Sequence, residues 1–320
     1  MNLSDIYQPI QDELDRVEQS LDAVADVGLP LLAQLLEYTL KGSGKRIRPS
    51  LTVLCGKFHL YDADLLVPMA TAVELLHTAT LVHDDIVDKS AVRRGKPTVS
   101  RAWGESRAVL LGDYLFAKAA SLAASTGSLR VTELFARTLM TISGGELKQT
   151  SSIFNLKQAR DYYYSWISAK TACLFSMATE SGAILGQSPE DMIEAMKNYG
   201  HNFGMAFQIV DDVLDFIGDE AELGKPVGSD LNEGTMTLPS ILFAESHLDD
   251  NLIKDVVESR DADNVASAVE MIRNSSVIDE ALSIASSFSS RACQALERLP
   301  DSRYRQALFD LAAYIIRRRK

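Results

Sequence analysis

Apolar residues at Leu3, Ile6, Ile10, Leu14, Val17, Leu21 and Val24 recur in steps of three and four, with acids between them. That is the spacing of one face of an α-helix. The same step returns at Tyr199, Phe203, Phe207, Val210 and Leu214, and again at Tyr304, Leu308, Leu311, Ile315 and Ile316. No stretch of strand length alternates apolar with polar residues, so the pattern predicts helices throughout. The expected breaks are Pro30, Gly42 to Pro49, Pro68, Gly95 to Pro97, Gly127, Gly186 to Pro189, Gly218 to Gly234 and Pro300. About ten to twelve helices fit between them at ordinary loop lengths. With no short-period repeat and no low-complexity linker, residues 1–320 read as one all-α domain around a central cavity.

Composition narrows the function classes. Hydrophobic residues make up 46% and charged residues 24% of the chain, enough to bury a core and keep a solvated surface. The net charge of −12 argues against a nucleic-acid partner held by phosphate neutralisation. It does not forbid an anionic substrate, because local cations can reverse the field in one cleft. Cys55, Cys173 and Cys293 are odd in number and far apart, which predicts neither a zinc site nor a disulfide framework and fits a reducing cytoplasm. The start of the chain is acidic, unlike a secretory signal, and no apolar run of membrane-spanning length is expected.

The candidate chemistry begins with two acidic pentads, Asp84-Asp85-Ile86-Val87-Asp88 and Asp211-Asp212-Val213-Leu214-Asp215, each following an apolar helical run. Residues four apart share a helical face, so Asp84 pairs with Asp88 and Asp211 with Asp215, while Asp85 and Asp212 lie about 100° around. Carboxylates facing one way repel unless a cation lies between them. Hard oxygen ligands favour Mg²⁺, which bridges protein carboxylates to substrate phosphate oxygens. One such pentad could be a solvated acidic helix end; two, each ending an apolar helix, point to metal-held diphosphate.

Two basic segments complete the pattern. Gly42-Ser43-Gly44-Lys45-Arg46-Ile47-Arg48-Pro49 lacks the spacing of a nucleotide-binding P-loop. Arg93-Arg94-Gly95-Lys96-Pro97-Thr98 offers guanidinium groups suited to forked phosphate contacts. Taken with His77, Gly145-Glu146-x-x-Gln149, Lys170-Thr171, Gln208, Gly224-Lys225 and Thr237-Leu238-Pro239, the chain resembles the trans-prenyltransferases, the polyprenyl diphosphate synthases, over nearly its whole length.

The resemblance implies an isoprenoid-synthase fold and head-to-tail (1'-4) condensation of isopentenyl diphosphate with an allylic diphosphate, dependent on Mg²⁺. It implies that Lys45, Arg48, His77 and Arg94 bind isopentenyl diphosphate, and that Arg93, Lys170 and Lys225 hold the allylic diphosphate. Asp84, Asp88 and Asp211 are then the leading metal ligands, with Asp85, Asp212 and Asp215 acting through water or orienting them. Thr171 and Gln208 would steady the allylic cation. One departure stands out: Gly234-Thr235-Met236-Thr237-Leu238-Pro239 carries Thr235 where many relatives carry Lys.

Ala79 and Thr80, five and four residues before Asp84, are both small. Bulky residues there stop chain growth in the family, so the resemblance implies a long product. With Leu76 and Leu75 a helical turn deeper, about seven to ten isoprene units are expected, the size of a respiratory-quinone tail. The alternatives are a short-chain farnesyl or geranylgeranyl synthase and one subunit of a heteromeric synthase. A terpene cyclase usually carries a different second motif, and a head-to-head synthase has no use for an isopentenyl site. A homodimer is expected from the family. The basic end, Arg317-Arg318-Arg319-Lys320, reads as a solvated terminus or a weak membrane contact.

Overall fold

The computed structural model describes residues 2–41, 44–149, 156–218, 227–247, 253, 256 and 262–318. In chain order the helices are α1 (Leu3–Tyr7), α2 (Gln11–Ala23), α3 (Pro30–Leu40), α4 (Ile47–Gly56), α5 (Ala63–Val87), α6 (Val99–Trp103), α7 (Glu105–Ser125), α8 (Leu129–Gln149) and α9 (Leu156–Ile167). After them come α10 (Cys173–Leu185), α11 (Glu190–Ile217), α12 (Ser229–Asn232), α13 (Leu238–Ser246), α14 (Ala262–Arg273), α15 (Val277–Leu296) and α16 (Arg303–Arg317). A 3₁₀ turn, Gln8–Ile10, joins α1 to α2, and a π-helical turn, Ser168–Ala172, joins α9 to α10. Among the described residues the only strands are β1 (Val92–Arg93) and β2 (Lys96–Pro97), a two-residue hairpin. The all-α expectation therefore holds.

The first periodic segment buries the face its spacing marks: Ile6, Ile10, Leu14, Val17, Leu21 and Val24 are all buried. It is not one helix, however. Pro9 lacks the N–H that an α-helix would use there, and the chain tightens into the 3₁₀ turn. Pro68 departs in the opposite sense: expected as a break, it lies inside α5. It sits in the second turn, after an Asp62 N-cap that accepts from the Asp64 amide. The cost of a helix-interior proline, about 3 kcal/mol for the lost hydrogen bond and the ring clash together, is outweighed by burial from Leu66 to Val82.

Two compact units emerge, and each is a set of three stretches: Met1–Met140, Leu174–Gly200 and Cys293–Leu311 for the first, Thr141–Cys173, His201–Ala292 and Ala312–Lys320 for the second. In the first, α5 packs on α2, α4 and α7. Gly112 permits the α5–α7 approach, since a Cβ there would lie 2.1 Å from His83 Nε2. The second has its own apolar core, in which Tyr163, Ile167, Ile209, Val213, Phe216, Ile241 and Ala281 are fully buried.

The expectation that no run would reach membrane-spanning length needs correction. α5 (25 residues) and α7 (21 residues) are both long and apolar enough. In α5, 67% of the most apolar window is buried inside the fold, as in a core helix; in α7 the share is 33%, with Val109 and Leu110 exposed.

Candidate active site

Both acidic pentads end long helices. Asp84 and Asp85 close α5 and Asp88 caps its C-terminus; Asp211, Asp212 and Asp215 occupy the last two turns of α11. The C-terminus is the negative end of the helix dipole, so three carboxylates there are locally unfavourable and call for positive charge.

In the first unit that charge is partly supplied. Asp85 is buried and accepts from Arg93 Nε at 2.8 Å. Burial raises its pKa and the Asp88 charge adds to the rise, with Arg93 opposing both. Asp88 is exposed and Asp84 half-exposed, four residues apart at the helix end.

Arg93 lies on the hairpin opposite Lys96, with Arg94 and Gly95 at its turn. Both turn residues have positive φ, 52° and 75°, the handedness of a type I′ turn. Tyr38 Oη donates to Pro97 O at 2.7 Å, and Thr98 Oγ1 to Ser90 O at 2.8 Å, fastening the hairpin. A cavity of about 180 Å³ is lined by Arg46, Glu74, His77, Asp85, Arg93, Arg94 and Lys96 among others. Lys96 carries no signal in the sequence beyond its place in a basic turn. The cavity's His77 is seven residues before Asp84 on α5, two turns back along one face. Burial and the charges of Arg48, Arg94, Arg93 and Arg46 hold its imidazole well below the ordinary value of 6.5, so it is neutral.

The basic turn before α4 is anchored by a residue the sequence reading passed over. Arg46, at φ 48°, donates to Glu18 Oε1 at 2.5 Å and Glu74 Oε1 at 2.7 Å. Tyr7 Oη donates to the Lys45 carbonyl at 2.8 Å. Lys45 is exposed, and the Arg48 guanidinium lies 4.2 Å from the Phe175 ring centroid. Three of the four described non-glycine residues with positive φ are basic, Arg46, Lys89 and Arg94, and left-handed strain of this kind concentrates at functional sites.

In the second unit the hydrogen bonds form a chain. Thr171 Oγ1 donates to Gln208 Oε1 at 2.7 Å, and Gln208 Nε2 donates to Asp212 Oδ1 at 2.8 Å. Tyr163 Oη donates to Asp212 Oδ2 at 2.5 Å. Burial, then the charge of Asp230, pushes the Asp212 carboxyl well above its usual range against these donors. Asp215, also buried, accepts from Ser229 Oγ at 2.8 Å and the Asp230 amide at 3.2 Å. Asp211 is the accessible member, paired with Arg318 at 2.6 Å. The sequence points to Thr171 and Gln208 but not to their link with Asp212; nothing in Tyr162-Tyr163-Tyr164 marks the middle tyrosine, and Arg318 is distant in sequence. Far from being a solvated terminus, Arg318 has a side chain only 5% exposed.

Lys170 and Thr171 lie in the π turn, a distortion frequent at functional positions. Lys170 Nζ is 3.1 Å from Glu146 Oε1. Gly145 next to that Glu lets α8 close on the turn, since a Cβ there would lie 2.8 Å from Ala169 Cβ. The Gly145-Glu146 pair thus has a packing role and an electrostatic one. Lys225 and the Gln149 side chain lie outside the described residues. Thr235, at the variable phosphate position, donates its amide to Asp230 O at 2.8 Å.

Among the described residues no three Asp, Glu, His or Cys side chains converge to enclose an ion unaided. The accessible donors are hard carboxylate oxygens, which fits a divalent ion whose remaining positions are filled by water and phosphate oxygens.

A family model described as polyprenyl synthetase matches residues 29–277. Heptaprenyl diphosphate synthase component 2 of Geobacillus stearothermophilus is 34% identical over 322 residues, covering 99% of each chain. Octaprenyl diphosphate synthase of Escherichia coli is 35% identical over 323 residues, again covering 99% of each. The crystal structure of a polyprenyl synthase from Caulobacter crescentus CB15, complexed with calcium and isoprenyl diphosphate, superimposes with a TM-score of 0.94 at 34% identity, covering 100% of this chain and 98% of that one. The chain therefore belongs to the polyprenyl synthetase family and is a prenyltransferase.

Proposed function

We infer that this polyprenyl synthetase condenses isopentenyl diphosphate head-to-tail (1'-4) with an allylic diphosphate and repeats the step to a long all-trans product, with residues 1–320 as one catalytic domain and Mg²⁺ as the metal. The observation that carries the reading is the cation-lined cavity of His77, Arg93, Arg94 and Lys96 with Asp85 of the acidic helix end in its wall.

Asp84, Asp88 and Asp211 would hold the metal. Bound there, Mg²⁺ supplies charge that stabilises the leaving diphosphate. Arg94, Lys45, Arg48 and neutral His77 bind isopentenyl diphosphate, with Lys96 as a further contact; Arg93, Lys170 and Lys225 hold the allylic diphosphate. Asp85, Asp212 and Asp215 orient their neighbours through the hydrogen bonds described above. The Thr171 proton is committed to Gln208, which leaves oxygen lone pairs to face the allylic cation. Heterolysis of the allylic C–O bond releases diphosphate, and the isopentenyl double bond attacks the resulting cation to form the new C–C bond. The departing diphosphate takes the proton whose loss restores an alkene one unit longer.

Product length rests on α5. Ala79 is fully buried, and half-buried Thr80 turns its hydroxyl onto the His77 carbonyl at 2.7 Å, keeping its polar atom within its own helix. Small residues here and the heptaprenyl and octaprenyl names of the relatives both favour a long chain. The test incubates the protein with Mg²⁺, labelled isopentenyl diphosphate and geranyl, farnesyl or geranylgeranyl diphosphate, then sizes the dephosphorylated products. Products beyond geranylgeranyl length that shorten in Ala79→Phe are expected; wild-type products ending at farnesyl or geranylgeranyl length would refute the length assignment.

A second copy of the chain is the partner we assign to the exposed apolar face of α7. Leu110→Glu should convert a dimer to monomers in light scattering. The name of the Geobacillus relative, component 2, favours one other reading, a heteromeric synthase; wild-type incorporation without added partner would exclude it. The free cysteines fit a reducing cytoplasm.

A further inference from the structure

Arg318 follows α16, its amide bonded to Tyr314 O at 3.0 Å. Its guanidinium lies 2.6 Å from Asp211 Oδ1, donates to Phe207 O at 2.7 Å and rests 4.0 Å from the Phe207 ring centroid. This is a held position: an ion pair, a backbone hydrogen bond and a cation–π contact on a side chain almost fully withdrawn from water. Asp211 keeps its own side chain 44% exposed, so its carboxylate meets both the buried cation and the solvent.

Arg318 occupies Oδ1 of Asp211, so a divalent ion on the same carboxylate would meet a second positive centre a few ångströms away, and the two cations compete electrostatically. Neighbouring Asp212 and Asp215 offer no substitute, since both are buried and bonded to protein donors. We propose that Arg318 is an exchangeable internal counter-ion: it neutralises Asp211 while no divalent ion is bound, and gives up the carboxylate when metal and diphosphate arrive. This rests on the reading of Asp211 as a metal ligand. Arg318 compensates a carboxylate at the negative end of α11 in the unloaded protein. The same contact raises the metal concentration needed to fill the second cluster, and the chain after Tyr314 is released as that cluster loads.

The test titrates Mg²⁺ into the full chain with inorganic diphosphate, following heat by calorimetry and amide exchange in the segment after Leu311 by mass spectrometry. Removing a competing ligand should lower the half-saturating Mg²⁺ concentration in Arg318→Gln about fivefold or more. Arg318→Lys, which keeps the charge, should stay near wild type and shows whether the Gln effect is a folding defect. In the wild type, exchange after Leu311 should quicken on loading. A Gln variant needing equal or more Mg²⁺, or unchanged exchange at saturation, would overturn the proposal and leave Arg318 as an orienting group. Asp211→Asn separates the two readings: if it binds Mg²⁺ with diphosphate as tightly as wild type, Asp211 is not a ligand and the underlying assignment fails first.

Discussion

The two acidic pentads share a sequence pattern and a place at a helix C-terminus, yet their surroundings differ. Around Asp84 one acid of three, Asp85, is buried against Arg93, while Asp88 is exposed. Around Asp211 all three acids have protein partners: Arg318, the Tyr163–Gln208 pair, and Ser229 with the Asp230 amide. In the first cluster the protein's cation, Arg93, meets a buried carboxylate, whereas in the second the nearly buried Arg318 meets the accessible one. The same spacing of acids can therefore sit in different surroundings: in the second helix it is mainly a hydrogen-bonded scaffold with one accessible carboxylate.

The largest expected effect breaks the comparison at its ends. Asp88→Asn should lower kcat on the order of 10²- to 10³-fold, the scale of losing one transition-state charge contact, with little change in melting temperature because Asp88 is exposed. Asp215→Asn should do the reverse in kind, depressing the melting temperature through its buried bonds. Equal stability losses would erase the distinction. Tyr163→Phe comes next: it leaves the buried Asp212 carboxyl short of a donor, and denaturant unfolding should show about 1–3 kcal/mol lost. A neutral result would mean that Tyr163 does not support Asp212.

The smallest effect belongs to His77. Its folded pKa lies well below the ordinary 6.5, so as pH falls the unfolded chain takes up the proton first. Its contribution to stability is therefore complete above about pH 6.5 and declines on acidification toward the folded value, by at most about 1.4 kcal/mol per pH unit. His77→Gln should flatten the dependence of the unfolding midpoint between pH 7.5 and 5.5; an unchanged slope would show that His77 does not set it.

Much of this was legible in the sequence because helical period and Asp spacing are local. The buried face from Ile6 to Val24 and the shared edge of Asp84 and Asp88 follow from 3.6 residues per turn. What escaped depends on contacts between distant residues. Nothing near Arg318 marks it as the partner of Asp211, and the three consecutive tyrosines do not reveal which reaches Asp212. Pro68 misled in another way, since a local breaker signal was overridden by burial of the apolar run beyond it. The hairpin carrying Arg93 and Lys96 is too short for strand alternation to register.

The most direct test of the account measures incorporation of labelled isopentenyl diphosphate onto farnesyl diphosphate, sized by chain length. It compares the wild type with Mg²⁺, the wild type with chelator, Asp84→Ala and Asp211→Ala. Products longer than geranylgeranyl are expected only in the first sample, with each of the others down on the order of 10³-fold or more. Undiminished incorporation under chelation, or in either Asp variant, would contradict it.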